Sequence, residues 1–287
     1  MLCDICPRNC KVDRNKNKGF CGQSGKLKIS KVMFHHYEEP IISGGEKAKG
    51  SGAIFFTGCN LKCCFCQNFP ISHNNKGKTI SINKLAKIFK KLEKKGALNI
   101  NLVTPSHFTN QIIEALNIYK PKIPIVWNSN GYENKEAIEK LKNYVDVYLV
   151  DLKYMDNNLA LKYSKAPNYV EKATEAIKQM KQNQTNNIIE NNLMKRGLII
   201  RHLILPTHTD DSLKCLDFIN KEIGTETIVS IMSQYEPRYN AKNYEEINKK
   251  ITPLEYKRVV NYALKLGMTY CYTQDLSSAD SKYTPKF

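Results

Sequence analysis

Short apolar runs alternate with amphipathic stretches along most of the chain, and this alternation predicts six βα units. The apolar runs have the length and composition of strands that are buried on both faces. They cover residues 53–56, 99–103, 124–127, 145–150, 198–205 and 227–232, with a candidate last strand at residues 268–273. Between them, apolar positions recur with the helical period, as in Leu85, Ile88, Phe89 and Leu92. The pattern therefore favours a parallel sheet with helices packed outside it.

The number of units limits the architecture. Six units are too few to close an eight-fold barrel, so we expect an α/β fold whose sheet forms an open or partial barrel. The barrel is expected to occupy residues 50–287, including a C-terminal extension, and a small Cys-rich segment to occupy residues 1–49. Ser81 and Thr252 are predicted helix N-caps, and the polar tract at residues 182–192 is a predicted surface insertion. Ligands of parallel α/β folds bind at the carboxyl ends of the strands, where we expect the functional residues.

Composition and charge narrow the classes of function. Hydrophobic residues make up 41% of the chain, and no apolar run approaches the roughly 18–20 residues of a membrane span. The N-terminus lacks a signal-peptide pattern, so we expect a cytoplasmic protein without a membrane partner. The net charge of +17 would suit a nucleic-acid partner. We favour a solvated surface, because the dense lysine stretch from Lys76 to Lys95 lacks interleaved aromatic residues.

Four of the ten cysteines lie on one short loop after the first predicted strand, and three of them have the spacing of cluster ligands. In the cytoplasm, cysteines more often bind metal or carry out redox chemistry than form disulfides. Cys59, Cys63 and Cys66 form a C-x3-C-x2-C pattern, which can hold three irons of a [4Fe-4S] cluster and leave the fourth iron open. A structural zinc site would need four ligands, and the loop has no histidine. Cys64 offers a competing C-x4-C-x-C set, but we assign Cys64 to packing.

The three-cysteine loop, with the aromatic Phe65 before its last cysteine, resembles the radical S-adenosylmethionine (SAM) superfamily. The resemblance covers about residues 50–267. It implies that the open iron binds the amino and carboxylate groups of SAM, and that Phe65 lies at the cofactor. It also implies that the reduced cluster cleaves SAM to a 5′-deoxyadenosyl radical, which abstracts hydrogen from a substrate. A partial (β/α)6 barrel and an electron donor such as flavodoxin or ferredoxin are expected with this chemistry.

Further segments resemble the branch of pyruvate formate-lyase activating-enzyme-like proteins. They are Cys6-Pro7-Arg8-Asn9-Cys10, residues 38–44, residues 55–61, residues 99–105, Asp151-Leu152-Lys153-Tyr154, residues 201–206 and residues 232–235. This branch implies an activase of anaerobic systems that takes a hydrogen from a glycine of a partner enzyme. Activases usually carry a Gly-Gly-Glu motif at the end of the second strand to receive the SAM amino group. Thr104 and Ser106 stand at that position here and are the candidates to replace it.

The resemblance also assigns polar residues at later strand ends to SAM. Asp151 is expected to bind the ribose hydroxyls and Lys153 the methionine carboxylate, while Asn128 is expected to line the site. Arg201 and His202 are consecutive on the fifth strand, so they point to opposite faces. Only one of them can reach the barrel interior, and the sequence leaves open which. No catalytic residue is assigned.

A second set of cysteines lies in the N-terminal segment: Cys3, Cys6, Cys10 and Cys21. Four cysteines can close a tetrahedral zinc site or hold a second iron–sulfur cluster. Zinc would serve structure or docking, whereas a cluster would relay electrons, and both remain open. The pairs His35-His36 and Glu38-Glu39 follow this segment and either face substrate or form an interface with the barrel.

Three hypotheses follow. The first is a radical SAM activase of a glycyl-radical enzyme. The second is a radical SAM enzyme that modifies RNA, a peptide or a small molecule, with the +17 charge as the argument for RNA. The third is a non-enzymatic zinc protein that binds nucleic acid. The alternation of strands and helices around a three-cysteine loop argues against the third.

Overall fold

A computed structural model describes residues 2–45, 47–279, 285 and 287 of the chain. Residues 1 and 46 of the predicted N-terminal segment, and residues 280–284 and 286 of the predicted C-terminal extension, lie outside the described residues. None of the helices described is both long enough and apolar enough to cross a membrane.

The strands, in chain order, are β1 (Lys28–His35), β2 (Ser51–Phe56), β3 (Lys78–Thr79), β4 (Ile100–Val103), β5 (Ile125–Ser129), β6 (Val147–Asp151), β7 (Ile188–Glu190), β8 (Leu193–Leu203), β9 (Ile228–Met232) and β10 (Cys271–Thr273). The helices are α1 (Pro40–Ser43), α2 (Phe69–Ser72), α3 (Ile82–Lys94), α4 (Thr109–Ile118), α5 (Lys135–Lys140), α6 (Asn157–Ser164), α7 (Tyr169–Asn183), α8 (Thr209–Phe218) and α9 (Pro253–Lys265). A π-helical turn at Ile219–Ile223 continues α8.

The strands form one sheet in the order β10-β9-β8-β6-β5-β4-β2-β1-β3, with β7 paired to β8. From β2 to β10 along this order, every neighbouring pair is parallel. At the other edge, β1 pairs antiparallel with β2 on one side and with β3 on the other. The α/β class and the partial barrel are thereby confirmed, with the predicted last strand, β10, added beyond the six units.

The barrel interior is closed at the amino-terminal ends of its strands by the short helix α1. Ile41 and Ile42 of α1 pack with a small buried cluster from the first residues of the strands, including Val126, Val147 and Ile228. The side-chain amide of Asn99 donates to the carbonyl of Ile42 at 2.8 Å and helps to hold α1, here called the α1 plug, at this end of the barrel. The interior is therefore open only towards the carboxyl ends of the strands, where ligands of such folds bind.

Two predicted helix caps are confirmed. The Ser81 side chain accepts a hydrogen bond from the backbone N–H of Lys84 at the start of α3. Thr252 and Glu255 form a reciprocal capping box at the start of α9, with Pro253 in the first turn. These side chains satisfy backbone donors that the helix itself leaves unpaired, which is why the helices begin at these residues.

The polar tract at residues 182–192 is ordered as part of a β-hairpin. Helix α7 runs through its first positions, and β7 then pairs antiparallel with the start of β8. Asn191 and Asn192 both have positive φ angles and make the turn, a conformation that asparagine tolerates better than most residues. All three residues of β7 are exposed, so the tract is a surface element as predicted.

The N-terminal segment is docked onto the barrel close to the three-cysteine loop. Arg8 donates from Nε to the carbonyl of Asn60 at 2.6 Å, and its guanidinium lies 3.7 Å from the ring centroid of Phe20. A Cβ atom on Gly58 would lie 2.5 Å from the carbonyl oxygen of Cys21. The backbone around Cys21 therefore lies against the residue that precedes Cys59.

Candidate functional site

A cavity of about 370 Å³ lies at the carboxyl ends of the parallel strands. All three cysteines of the loop line it, together with six other residues predicted for the cofactor: Phe65, Thr104, Asn128, Asp151, Lys153 and Arg201. The loop, which carries Phe65, reaches the cavity because it follows β2 directly, and the other five residues lie at or just after the ends of β4, β5, β6 and β8. The fold thus brings most of the predicted set together at one place.

Each of the sulfurs of Cys59, Cys63 and Cys66 has a hydrogen-bond partner on another side chain. Cys59 Sγ accepts from the backbone N–H of Leu61 and from Nδ2 of Asn130, both at 3.3 Å. Cys63 Sγ accepts from the hydroxyl of Ser164 at 3.0 Å, at the end of α6. Cys66 Sγ lies 3.2 Å from the hydroxyl of Ser72, at the end of α2.

Burial makes these three thiols weak acids in the absence of a metal. It raises the pKa of Cys59 to about 12 and that of Cys66 to about 11. Burial also raises the pKa of Cys63, although the nearby ammonium of Lys153 opposes this effect. Metal ligation requires thiolates, so binding of a cluster here would release protons.

The loop suits a cluster better than a single ion. In the described ranges, no three His, Cys, Asp or Glu side chains are arranged to hold one metal ion. A cubane spaces its cysteines more widely than a mononuclear site does, because each thiolate binds a different iron. The three thiols on one loop, at the rim of a common cavity, fit that donor set.

A largely buried ionic network forms one wall of the cavity. Arg201 donates from Nε to Asp151 Oδ1 at 2.8 Å, from one terminal nitrogen to Glu38 at 2.9 Å, and from the other to Asn128 at 2.7 Å. Lys153 Nζ lies 2.7 Å from Asp151 Oδ2. Nδ2 of Asn128 also donates to Glu38 at 3.0 Å, so strand ends and the segment before α1 are tied together.

Asp151, Lys153 and Arg201 keep their charges although their side chains are largely buried. Burial alone would raise the pKa of Asp151, but the cations of Arg201 and Lys153 hold it below its usual value. Burial alone would lower the pKa of Lys153, but the carboxylate of Asp151 and the Cys63 sulfur raise it. The pKa of Arg201 is likewise raised by its carboxylate neighbours against the effect of burial. The wall therefore presents one ammonium and oriented carboxylates to a ligand.

Glu38 and Glu39 form the floor of the cavity above the α1 plug. Glu38 accepts from Arg201, Asn128 and Asn101. Glu39 is buried, and its Oε2 atom has no hydrogen-bond partner among the described residues. Burial raises the pKa of Glu39, with Arg201 acting in the opposite direction. Of the two roles expected for this pair, its position on the cavity wall agrees with facing substrate.

Two residues predicted for the cofactor, Ser106 and His202, lie away from the cavity. Thr104 adopts a φ of 56°, which turns the chain after β4, and Ser106 then donates to Oε1 of the buried Glu133 at 2.6 Å. His202 points to the opposite face of β8 from Arg201, and its Nδ1 lies 2.7 Å from the carbonyl of Leu152. The structure thus corrects the assignment of Ser106, because Thr104 lines the cavity without it. It also decides the choice that the sequence left open, since Arg201 and not His202 lines the cavity.

Cys64 is oriented differently from its neighbours on the loop. It is buried in the main hydrophobic core and does not line the cavity. Its backbone N–H donates to the carbonyl of Tyr163 at 2.8 Å, and its carbonyl accepts from the N–H of Asn240. These contacts anchor the loop to α6, consistent with packing as the role of Cys64.

The four N-terminal cysteines are partly gathered around the turn at Gly19. A Cβ atom on Gly19 would lie 3.5 Å from Cys10 Sγ and 3.7 Å from Cys21 Sγ. The N–H of Phe20 donates to Cys10 Sγ at 3.3 Å. Burial raises the pKa of Cys6 to about 12, and the sulfurs of Cys21 and Cys10 add to this effect. A second metal site at Cys3, Cys6, Cys10 and Cys21 stays a prediction.

The site residues that sequence reasoning missed are hydrogen-bond donors to sulfur: Ser72, Asn130 and Ser164. Ser72 is only six positions from Cys66, and the spacing gives no signal that it turns back to the sulfur. Asn130 was within reach of prediction, because it follows Asn128 and Ser129 at the end of β5. Ser164 is separated from Cys63 by 101 positions, so no local pattern connects them.

Comparisons with known proteins agree with this geometry. A family model described as the radical SAM superfamily matches residues 53–219. An uncharacterized protein of Methanocaldococcus jannaschii is 33% identical over 282 residues, which cover 94% of this chain and 76% of that protein. A second uncharacterized protein of the same organism is 23% identical over 312 residues, covering 98% of this chain and 83% of that protein.

One solved structure with a similar fold is that of HydG, a maturase of the [FeFe]-hydrogenase. Its TM-score is 0.51 at 13% sequence identity, and the match covers 75% of this chain and 48% of HydG. The chain thus spans about half the length of that protein. At this identity the likeness concerns the fold alone.

Proposed function

The chain belongs to the radical SAM superfamily, and from this premise we propose that it is an enzyme that binds a [4Fe-4S] cluster and SAM. Bound together, the cluster and SAM supply a 5′-deoxyadenosyl radical for hydrogen abstraction. The observation that carries the proposal is that the thiols of Cys59, Cys63 and Cys66 line the same cavity as Asp151 and Lys153.

The residues of the cavity have distinct tasks in this proposal. Cys59, Cys63 and Cys66 would hold the cluster, because each sulfur reaches the cavity and has a donor to stabilise its thiolate form. Lys153 would bind the SAM carboxylate, and Asp151 would accept hydrogen bonds from the ribose hydroxyls. Arg201 would hold Asp151 in place, since it is already bound to three acceptors.

The amino group of SAM has a different partner in this proposal from the Gly-Gly-Glu motif of activases. Thr104 lines the cavity directly after β4, where its φ of 56° turns the chain. A hydroxyl and carbonyl oxygens can accept the hydrogen bonds of an ammonium group. Thr104 is therefore the proposed receiver, in place of an acidic side chain.

The first candidate for the reaction is activation of a glycyl-radical enzyme, by removal of a hydrogen from a glycine of that partner. It rests on the resemblance of segments such as residues 38–44 and 201–206 to pyruvate formate-lyase activating-enzyme-like proteins. Flavodoxin or ferredoxin would supply the electron. The measurement that tests this candidate is a glycyl-radical EPR signal on a candidate partner after anaerobic incubation with the reduced enzyme and SAM.

The second candidate is a small polar substrate, and the floor of the cavity favours it. The floor is closed by α1, and one carboxyl oxygen of Glu39 has no hydrogen-bond partner within the part of the chain that the structure describes. A buried acceptor without a partner is costly, and a ligand with an ammonium, amide or hydroxyl group would satisfy it. RNA is less well supported, because the +17 charge is its sole argument.

The test of the enzyme proposal is anaerobic reconstitution followed by analysis of iron, sulfide and 5′-deoxyadenosine. One cluster should give about four irons per chain, and a second cluster in the N-terminal segment should give about eight. Reduced protein should convert SAM to 5′-deoxyadenosine and methionine. A reconstituted protein that holds only zinc and never cleaves SAM would contradict the proposal.

A further inference from the structure

The three loop sulfurs are each the end of a short hydrogen-bond chain that reaches into the protein. The donors that touch the sulfurs come from three different elements: Ser72 from α2, Asn130 from the turn after β5, and Ser164 from α6. All three side chains are at least nine-tenths buried, with exposed fractions of 5%, 9% and 0%. Water therefore competes little for these bonds, and a bond in such surroundings is electrostatically stronger.

In the hydrogen-bond chain at Cys63, the donor and acceptor of each bond are fixed once the sulfur is a thiolate. A thiolate has no proton to give, so the hydroxyl of Ser164 must donate to Cys63 Sγ. Ser164 then has only acceptor capacity left for Tyr154, whose hydroxyl lies 2.8 Å from its Oγ atom. Tyr154 is fully buried and must therefore donate to Ser164, which polarises the bond from Ser164 to the sulfur.

The donors and acceptors of the hydrogen-bond chain at Cys66 are fixed in the same way. Ser72 Oγ lies 3.2 Å from Cys66 Sγ and 2.8 Å from Nδ1 of His73. If Ser72 donates its proton to the thiolate, His73 must donate from Nδ1, which selects one tautomer of a neutral ring. The ring of His73 is stacked on that of Phe69, with centroids 4.1 Å apart, so its orientation is fixed.

At Cys59, one amide serves both the sulfur and the neighbouring residue. Nδ2 of Asn130 donates to Cys59 Sγ at 3.3 Å and to Oδ1 of Asn60 at 2.8 Å. Its Oδ1 accepts from the N–H of Tyr132 at 3.0 Å, which sets the amide with its nitrogen towards the sulfur. Asn60 in turn donates to the carbonyl of Tyr132 at 2.6 Å.

We propose that Ser72, Asn130 and Ser164 are positioning residues that orient the three thiolate ligands and raise the reduction potential of the cluster. This inference rests on the proposed function. Reduction adds one electron from an external donor, and the extra negative charge spreads onto the thiolate sulfurs. A hydrogen bond to a sulfur stabilises this more negative state more than the oxidised one, so the potential rises.

The experiment compares midpoint potentials of reconstituted wild type, Ser164→Ala and Ser72→Ala, measured by an anaerobic redox titration followed by the EPR signal of the reduced cluster. Each substitution removes one hydroxyl and little volume. At a fixed solution potential, the ratio of reduced to oxidised cluster should fall by about fivefold in each variant, and further in the double variant. Tyr154→Phe should shift the midpoint in the same direction by less, because it removes the second member of one chain.

Ser233→Ala is the matched control. Ser233 is fully buried and donates to the carbonyl of Asp275 at 2.9 Å, and it does not line the cavity. The midpoint potential of the cluster in Ser233→Ala should equal that of the wild type. Unchanged midpoints in both Ser164→Ala and Ser72→Ala, at four irons per chain by iron analysis, would overturn the inference and leave the proposed function intact.

A serine variant that loses its cluster also bears on the inference. If either serine variant folds, by circular dichroism, but retains less iron than Ser233→Ala, the orienting role is supported, and the other variant still reports the potential. A wild-type protein without a cluster contradicts the proposed function itself. The two failures are therefore distinguishable.

Discussion

Arg201 donates from Nε to Oδ1 of Asp151 at 2.8 Å, although the two residues are 50 positions apart in the chain. They are direct partners in the parallel register of β6 and β8, so both side chains emerge on the interior face at the same level. The guanidinium also binds Glu38 and Asn128. A single side chain thus joins two strand ends, a third strand and the floor of the cavity.

Arg201→Met should destabilise the protein strongly, because it leaves the buried carboxylate of Glu38 without a cation. We expect the free energy of unfolding to fall by about 3–5 kcal/mol, measured by urea denaturation of the apo protein under anaerobic conditions. Arg258→Met is the control, since its ion pair with Asp210 is largely exposed and should contribute less than about 1 kcal/mol. Equal losses in the two variants would contradict the role of Arg201.

Cys63→Ala and Cys64→Ala should separate the ligand from the packing residue. Cys63→Ala removes a thiol that lines the cavity, so iron content and formation of 5′-deoxyadenosine should be lost. Cys64→Ala should keep both and cost about 1 kcal/mol of stability, because it removes one buried sulfur from the core. The opposite result would transfer the ligand assignment to Cys64.

Gly58→Ala should disturb the loop at the point where the N-terminal segment contacts it. Gly58 has a φ of 87°, and a Cβ atom there would lie 2.5 Å from the carbonyl oxygen of Cys21. Gly267→Ala is the control, because Gly267 has a φ of 77° with nothing within 4 Å of a Cβ atom. We expect a loss of about 1 kcal/mol for Gly267→Ala from backbone strain.

Gly58→Ala should lose about 1–3 kcal/mol more than this control, because the clash adds to the strain. It should also bind less iron after reconstitution, since Cys59 is the next residue. Similar thermal unfolding and iron content in the two variants would show that the contact with Cys21 is not required.

Glu133 should give the stability a measurable dependence on pH. Burial raises its pKa in the folded protein to about 7, from the usual value of 4.5 for a glutamate. The folded state therefore binds the proton more tightly than the unfolded state, so this contribution is complete below pH 4.5 and is lost as pH rises through 7. The expected loss is about 3 kcal/mol between about pH 4.5 and pH 8.

Glu133→Gln should remove this contribution, because an amide does not titrate and its oxygen can still accept from Ser106 and Trp127. The measurement is the difference in urea midpoint between wild type and variant across that pH range. The difference cancels other groups, such as Asp211, whose pKa burial raises to about 6. A difference that does not change with pH would contradict the prediction.

Cys10→Ser should affect only the second metal. If the N-terminal cysteines hold zinc or a second cluster, the variant should lose that metal and keep the irons of the three-cysteine loop. Elemental analysis of reconstituted wild type and variant decides between zinc and iron. Loss of loop iron in Cys10→Ser would indicate instead that the two cysteine sets act as one unit.

Much of the fold was predictable, because its signals are local. Alternating apolar and amphipathic segments mark strands and helices, and caps such as Ser81 and Thr252 mark helix starts within a few residues. The three-cysteine loop was predictable for the same reason, since its ligands lie on one short segment. Asp151 and Lys153 were expected at the cavity from their position at the end of a predicted strand, whereas their roles came from the resemblance to a family.

The remaining parts of the site depend on orientation and long-range contact. Alternation on β8 required Arg201 and His202 to point in opposite directions, but only the assembled sheet shows which face is the interior. Ser106 was expected in the site from its place in the chain, and the left-handed turn at Thr104 sends it to Glu133 instead.

By itself, the sequence determined the succession of strands and helices, the three-cysteine loop and the strand ends that carry polar residues, because each of these is written within a short stretch of chain. Only the tertiary structure decided that Glu38 meets Arg201 across 163 positions and that Ser164 reaches Cys63 across 101. Such pairs depend on distances through space between segments that share no local pattern. The chemistry of the three sulfurs was therefore predictable in kind, and their hydrogen-bonded surroundings were not.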